Sequence, residues 1–80
     1  MRTKRKRKIA DATVRFGIKK NLQGRLQCCV WAECHLSGNR AGPIWGHSDE
    51  SVRKVLAELT SECDCPASFH RGTEYSGHRV

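Results

Sequence analysis

Two runs of alternating character, separated by Asn21-Leu22-Gln23-Gly24-Arg25, constrain this chain more than any other feature. In the first, Ala12, Val14, Phe16 and Ile18 interleave with Thr13, Arg15, Gly17 and Lys19. In the second, Leu26, Cys28, Val30, Ala32, Cys34 and Leu36 interleave with Gln27, Cys29, Trp31, Glu33 and His35. A period of two is that of a strand with one face buried. For both apolar sets to share a side, opposed residue numbers must sum to an even value, which excludes a two-residue hairpin loop. A loop from Leu22 to Gly24, with Gly24 left-handed, satisfies the condition. It predicts Asn21 opposite Arg25, Ile18 opposite Cys28, Phe16 opposite Val30, and Arg15 opposite Trp31, the last pair on the outer face.

Downstream, Ser37-Gly38-Asn39-Arg40-Ala41-Gly42-Pro43 is rich in turn formers and leads into Ile44-Trp45. Pro43 lacks a donor, so a third strand here is expected to be short and at an edge. Ser48 reads as a helix N-cap, with Asp49 and Glu50 in the first turn where the helix dipole favours negative charge. Val52, Val55, Leu56, Leu59 and Cys63 form one apolar helical stripe ending near Glu62, and Pro66 prevents continuation. From Arg71 onward little can be buried. The expected fold class is therefore α+β: a three-stranded antiparallel sheet followed by one C-terminal helix (β-β-β-α). Residues 1–11 are expected to be a disordered basic arm, 12–70 the domain, and 71–80 a flexible tail.

The arm carries most of the charge. Arg2, Lys4, Arg5, Lys6, Arg7 and Lys8 are six of the 15 Lys and Arg, and the remaining nine face all eight Asp and Glu, against a whole-chain net charge of +7. A run of like charges stays solvated, and polyanions release counterions on meeting it. Nucleic acid is thus the expected partner, bound by the arm together with Arg15, Lys19, Trp31 and His35 on the uncovered sheet face. An aromatic flanked by cations suits base stacking, worth about 1 to 3 kcal/mol per base. The same face leaves room for a protein partner or a second subunit.

The segment Ile9 to Arg15 is broken by charges before a signal-peptide core forms, and no stretch approaches the roughly 20 apolar residues a membrane span needs. With five cysteines, an odd number, the chain reads as intracellular, cytoplasmic or nuclear where the host has a nucleus, with no membrane partner.

The helix start Gly46-His47-Ser48-Asp49-Glu50-Ser51-Val52 resembles parts of two families that share the expected order of elements. In double-stranded RNA-binding domains a Gly-rich opening leads to lysines that grip phosphates; here Gly46 and Ser48 match, but Asp49 and Glu50 stand in place of the lysines. HicB-type antitoxins are more similar, with Gly-x-Ser/Thr and acidic residues opening the helix, matched by Gly46, Ser48 and Glu50. The second resemblance implies an adaptor that neutralises a partner RNase. Both rest on about 50 residues of topology.

The expected order of elements brings the end of the second strand beside the end of the helix, so Cys34 and Cys63 should approach each other. With Cys65 and His70 on the following loop, a Cys3His zinc site is conceivable. The competing reading is that these are core thiols, with no essential metal or cofactor. Cys28 is expected under Phe16 or Ile18, and Cys29 exposed on the open face. No catalytic residues are assigned, because Cys34 and His35, as strand neighbours, point to opposite faces. The leading expectation is a non-enzymatic nucleic-acid-binding or nucleic-acid-associated accessory protein, with a protein-interaction module such as an antitoxin-like adaptor as the alternative.

Overall fold

The computed structural model describes residues 8–77. Its elements are β1 (Ile9–Lys20), β2 (Leu26–Cys34), β3 (Arg40–Trp45), α1 (Asp49–Glu62) and β4 (Phe69–Gly77). They form a mixed four-stranded sheet in the order β3-β2-β1-β4.

The hairpin has the register that the alternation demands. Ile18 faces Cys28, Phe16 faces Val30, and Arg15 faces Trp31. The Asn21 N–H donates to the Arg25 carbonyl at 2.8 Å, and Gly24 turns the chain at φ +79°. The Asn21 Oδ1 accepts from the backbone N–H of Gln23 and of Arg25, so the loop satisfies its own donors. β3 is an edge strand, as Pro43 requires, though it begins at Arg40 within the turn-rich stretch.

Ser48 caps α1, its side chain accepting from the Ser51 N–H. The helix buries Ser51, Val52, Val55 and Leu59 and packs across β2, β3 and β4. Its sheet-side partners are Ala10, Ala12, Val14, Phe16, Val30, Ala32, Cys34 and Ala41. Half of these are alanines, and each of those four positions brings little apolar area out of water.

The expected β-β-β-α order is overturned by β4. Residues 71–77, read as flexible tail, belong to a strand that runs parallel to β1 and pairs with it from Ile9↔Phe69 to Phe16↔Gly77, with a register shift between Ala12 and Thr13. Since β1 and β3 are each antiparallel to β2, β3 and β4 point the same way. α1 is therefore the crossover that carries the chain from one edge of the sheet to the other. The strand escaped its sequence pattern because only His70 in it is buried. β4 is held by its ladder with β1 and not by an apolar stripe.

The same pairing extends β1 upstream. Ile9, Ala10 and Asp11, counted with the arm of residues 1–11, lie in β1, and both the N–H and Oγ of Ser68 donate to the Lys8 carbonyl. Arg2, Lys4, Arg5, Lys6 and Arg7 lie outside the described residues. Among the described residues no helix is long and apolar enough to cross a membrane.

Candidate functional site

One face of the sheet is covered by α1, and the other is open. Register places Arg15 and Lys19 of β1, Trp31 and Glu33 of β2, and Arg40 and Trp45 of β3 together on the open face. On β3, Trp45 lies outward opposite Cys29, while Ile44 packs against the core.

Trp31 is half-buried although it stands on the open side. Its ring lies over Gly17, and the Lys19 Nζ sits 5.7 Å from the ring centroid, within cation–π range. Arg15, directly opposite Trp31, instead reaches Glu33 at 3.3 Å, and the Arg40 Nε approaches the same carboxylate oxygen at 3.9 Å. Arg15, Trp31, Glu33 and Arg40 line a depression of about 90 Å³, far below the size of an ordinary small-molecule pocket. The open face is therefore shallow where these residues meet.

His35 lies at the far end of β2 with its Nε2 2.7 Å from the Thr13 Oγ1. The Thr13 hydroxyl also reaches a Glu74 carboxylate oxygen at 3.3 Å. His35 is exposed and tied to β1, through Thr13 and through its backbone N–H, which donates to the Asp11 carbonyl at 2.9 Å.

Cys29 departs from expectation. It lies on the open face as the alternation requires, yet it is fully buried, and its Sγ sits 3.7 Å from the Gly17 carbonyl oxygen. Burial pushes its thiol pKa up, with Lys19 opposing and Cys28 adding to the rise. Its neighbours explain the seal: Gly17 opposite offers no side chain to hold Trp31 off, and Trp45 is its partner on the other side. Cys28 is half-buried, beside an Ile18 that is 52% exposed and covers little.

A second constellation lies where β2, α1 and β4 meet. Cys34, Cys63, Cys65 and His70 converge so that one ligand atom from each lies within 4.8 Å of all the others. Cys34 ends β2, Cys63 is the C-cap of α1, Cys65 sits in the connection, and His70 opens β4. The Cys34 and Cys65 Sγ atoms are 3.8 Å apart, and the Cys65 Sγ is 3.5 Å from the His70 Nε2. The Ser37 N–H donates to the Cys34 Sγ at 3.4 Å, and the Ser37 Oγ lies 2.9 Å from the Cys63 Sγ. Burial raises the Cys34 pKa, but hydrogen bonds from the Ser37 side chain and backbone, from His70 and from the Leu36 backbone outweigh it and bring the thiol to about 5. Cys34 and Cys63 thus meet as the expected order of elements required, whereas Ser37 and Thr60, which contact the cluster's ligands, carried no sequence signal beyond turn and helix surface.

No protein-family model, no curated protein and no solved structure matches this chain.

Proposed function

We propose that this chain is a small non-enzymatic accessory protein that binds nucleic acid, with the basic arm gripping phosphates and the open sheet face stacking on bases. The observation that carries the reading is the seating of Trp31: a half-covered indole on an otherwise open face, with Lys19 against its ring and Arg15 and Arg40 beside it. Aromatic platforms flanked by cations bind bases without demanding a particular sequence. Lys8 and the five basic residues before it supply a sequence-independent electrostatic component. The protein would work in a reducing compartment, the cytoplasm or a nucleus.

The test is oligonucleotide affinity as a function of salt for the full chain, a chain lacking residues 2–8, and Trp31→Ala. If the arm neutralises six phosphates, the log–log slope approaches about −4 to −5, and it flattens when the arm is removed. Trp31→Ala should lower affinity at every salt concentration while leaving the slope unchanged. Equal binding by all three chains overturns the reading and leaves the face to a protein partner, as in the antitoxin-like adaptor.

A further inference from the structure

We propose that Cys34, Cys63, Cys65 and His70 form a tetrahedral zinc site that staples β4 to the rest of the fold. The inference is independent of nucleic-acid binding, since the cluster gathers the end of β2, the end of α1 and the start of β4 and uses no residue of the Trp31 platform.

Distances argue first. Zinc–sulfur and zinc–nitrogen bonds of about 2.3 and 2.0 Å in a tetrahedron imply ligand-to-ligand edges of about 3.8 Å for S···S and about 3.5 Å for S···N. The Cys34–Cys65 and Cys65–His70 separations are 3.8 and 3.5 Å. A disulfide requires sulfurs about 2.05 Å apart and would engage two of the three thiols, leaving the third and the imidazole unexplained. Core packing accounts for Cys34, which is buried; Cys63 and Cys65 pack at the edge of the core, half-exposed, with their sulfurs gathered beside that of Cys34 and the His70 ring.

The hydrogen bonds around His70 argue second. The Thr60 hydroxyl has one hydrogen to give and donates it to the Leu56 carbonyl at 3.0 Å. Its oxygen accepts from the His70 backbone N–H at 3.0 Å and lies 2.9 Å from the His70 Nδ1. In the tautomer in which the Thr60 oxygen accepts from Nδ1–H, the Nε2 lone pair faces Cys65 and is available to a metal. That is the arrangement of a metal-binding histidine, oriented through its other nitrogen. Ser37 plays the matching part at sulfur, with its N–H directed at the Cys34 Sγ. Three thiolates and an imidazole in a closed tetrahedron are the donor set of a structural zinc, with no open position for substrate.

Need argues third. The core is built largely from alanine and valine, β4 contributes only His70 to the buried set, and its parallel pairing closes a long loop in the chain. Small domains with so little to bury commonly rely on a metal. An ion bound by ligands from three separate segments would fix β4 where apolar contact does not.

The full chain, expressed with zinc supplied and kept reduced, should contain one zinc per chain by elemental analysis. Cobalt exchanged for it should give the intense visible bands of a tetrahedral thiolate site. Cys65→Ser should lose the zinc and Cys28→Ser should keep it. Thr60→Val, which retains all four ligands, should weaken zinc affinity by about 10- to 100-fold in competition with a chelator. Should Cys65→Ser fail to fold, the wild-type stoichiometry and cobalt spectrum still decide. Protein that neither carries zinc nor takes up cobalt into a tetrahedral site overturns the proposal. Equal loss of zinc from Cys28→Ser and Cys65→Ser also overturns it, because it would show adventitious thiol binding.

Discussion

The Trp31 ring rests on Gly17 so closely that a Cβ built there would stand 2.8 Å from its Cζ3. Gly17 is thus the floor of the platform, and its lack of a side chain lets the indole lie down beside Lys19. Gly17→Ala sets two effects against each other. Replacing a strand glycine stabilises by about 0.4 to 1 kcal/mol through the unfolded chain, whereas crowding a packed site costs about 1 to 3 kcal/mol. Because the crowded atoms are the outer edge of a half-buried side chain, the ring can tilt away. The expected result is a stability change under about 1 kcal/mol by denaturant titration, with shifted tryptophan fluorescence and weaker oligonucleotide binding. A loss of several kcal/mol would show instead that the ring is locked in place.

Gly24 isolates a conformational effect from a steric one. It sits at φ +79° with no atom within 4 Å of where a Cβ would be, so a larger residue meets no neighbour. Gly24→Val should cost about 1 to 2 kcal/mol from the left-handed backbone alone. Thermal or chemical denaturation measures it, and a neutral result would mean that the loop has another turn available.

The hairpin and helix were legible because each is written in a local period. Asn21 to Gly24 and the even-sum condition fix every pair from Arg15–Trp31 to Ile18–Cys28. Ser48 and Pro66 bracket α1 in the same local way. β4 was illegible because His70 is its sole buried residue and the strand is specified by a partner some 60 positions away. Cys29 shows a subtler limit. Alternation assigned its face correctly, but its exposure depends on Gly17 and Trp45 across two different ladders, which no single strand's pattern records. The ligand cluster was legible in its four members, Cys34, Cys63, Cys65 and His70, but His70 lies in β4 and not on a loop, and the contacts of Ser37 and Thr60 emerged only from the fold.

The sealed position of Cys29 predicts its chemistry. Burial raises its pKa, and the reactive species is the thiolate, so folded protein should resist alkylation at this site. In a Cys28→Ser variant, which removes the adjacent thiol, peptide mapping after brief treatment with iodoacetamide should find Cys29 labelled far more slowly than in the denatured chain. Equal rates would mean that the outer face opens readily around Gly17.

Glu33 governs how much positive charge the open face presents. Its carboxylate oxygen is shared between Arg15 at 3.3 Å and Arg40 at 3.9 Å, both with guanidiniums at least half exposed. Exposed ion pairs of this kind contribute about 0 to 1 kcal/mol to stability, so Glu33→Gln should leave the fold nearly as stable as before. Its effect on polyanions should be larger and opposite in sign to that of most surface substitutions. Removing the carboxylate charge frees two guanidiniums beside Trp31, so oligonucleotide affinity should rise, with a salt slope steeper by about 1 for each phosphate newly contacted. Affinity and slope measured together separate this from a general charge effect, for which Glu58→Gln on α1, away from the open face, is the control. If both substitutions raise affinity equally, the bound nucleic acid senses only net charge, and the Arg15–Glu33–Arg40 arrangement plays no part in placing it.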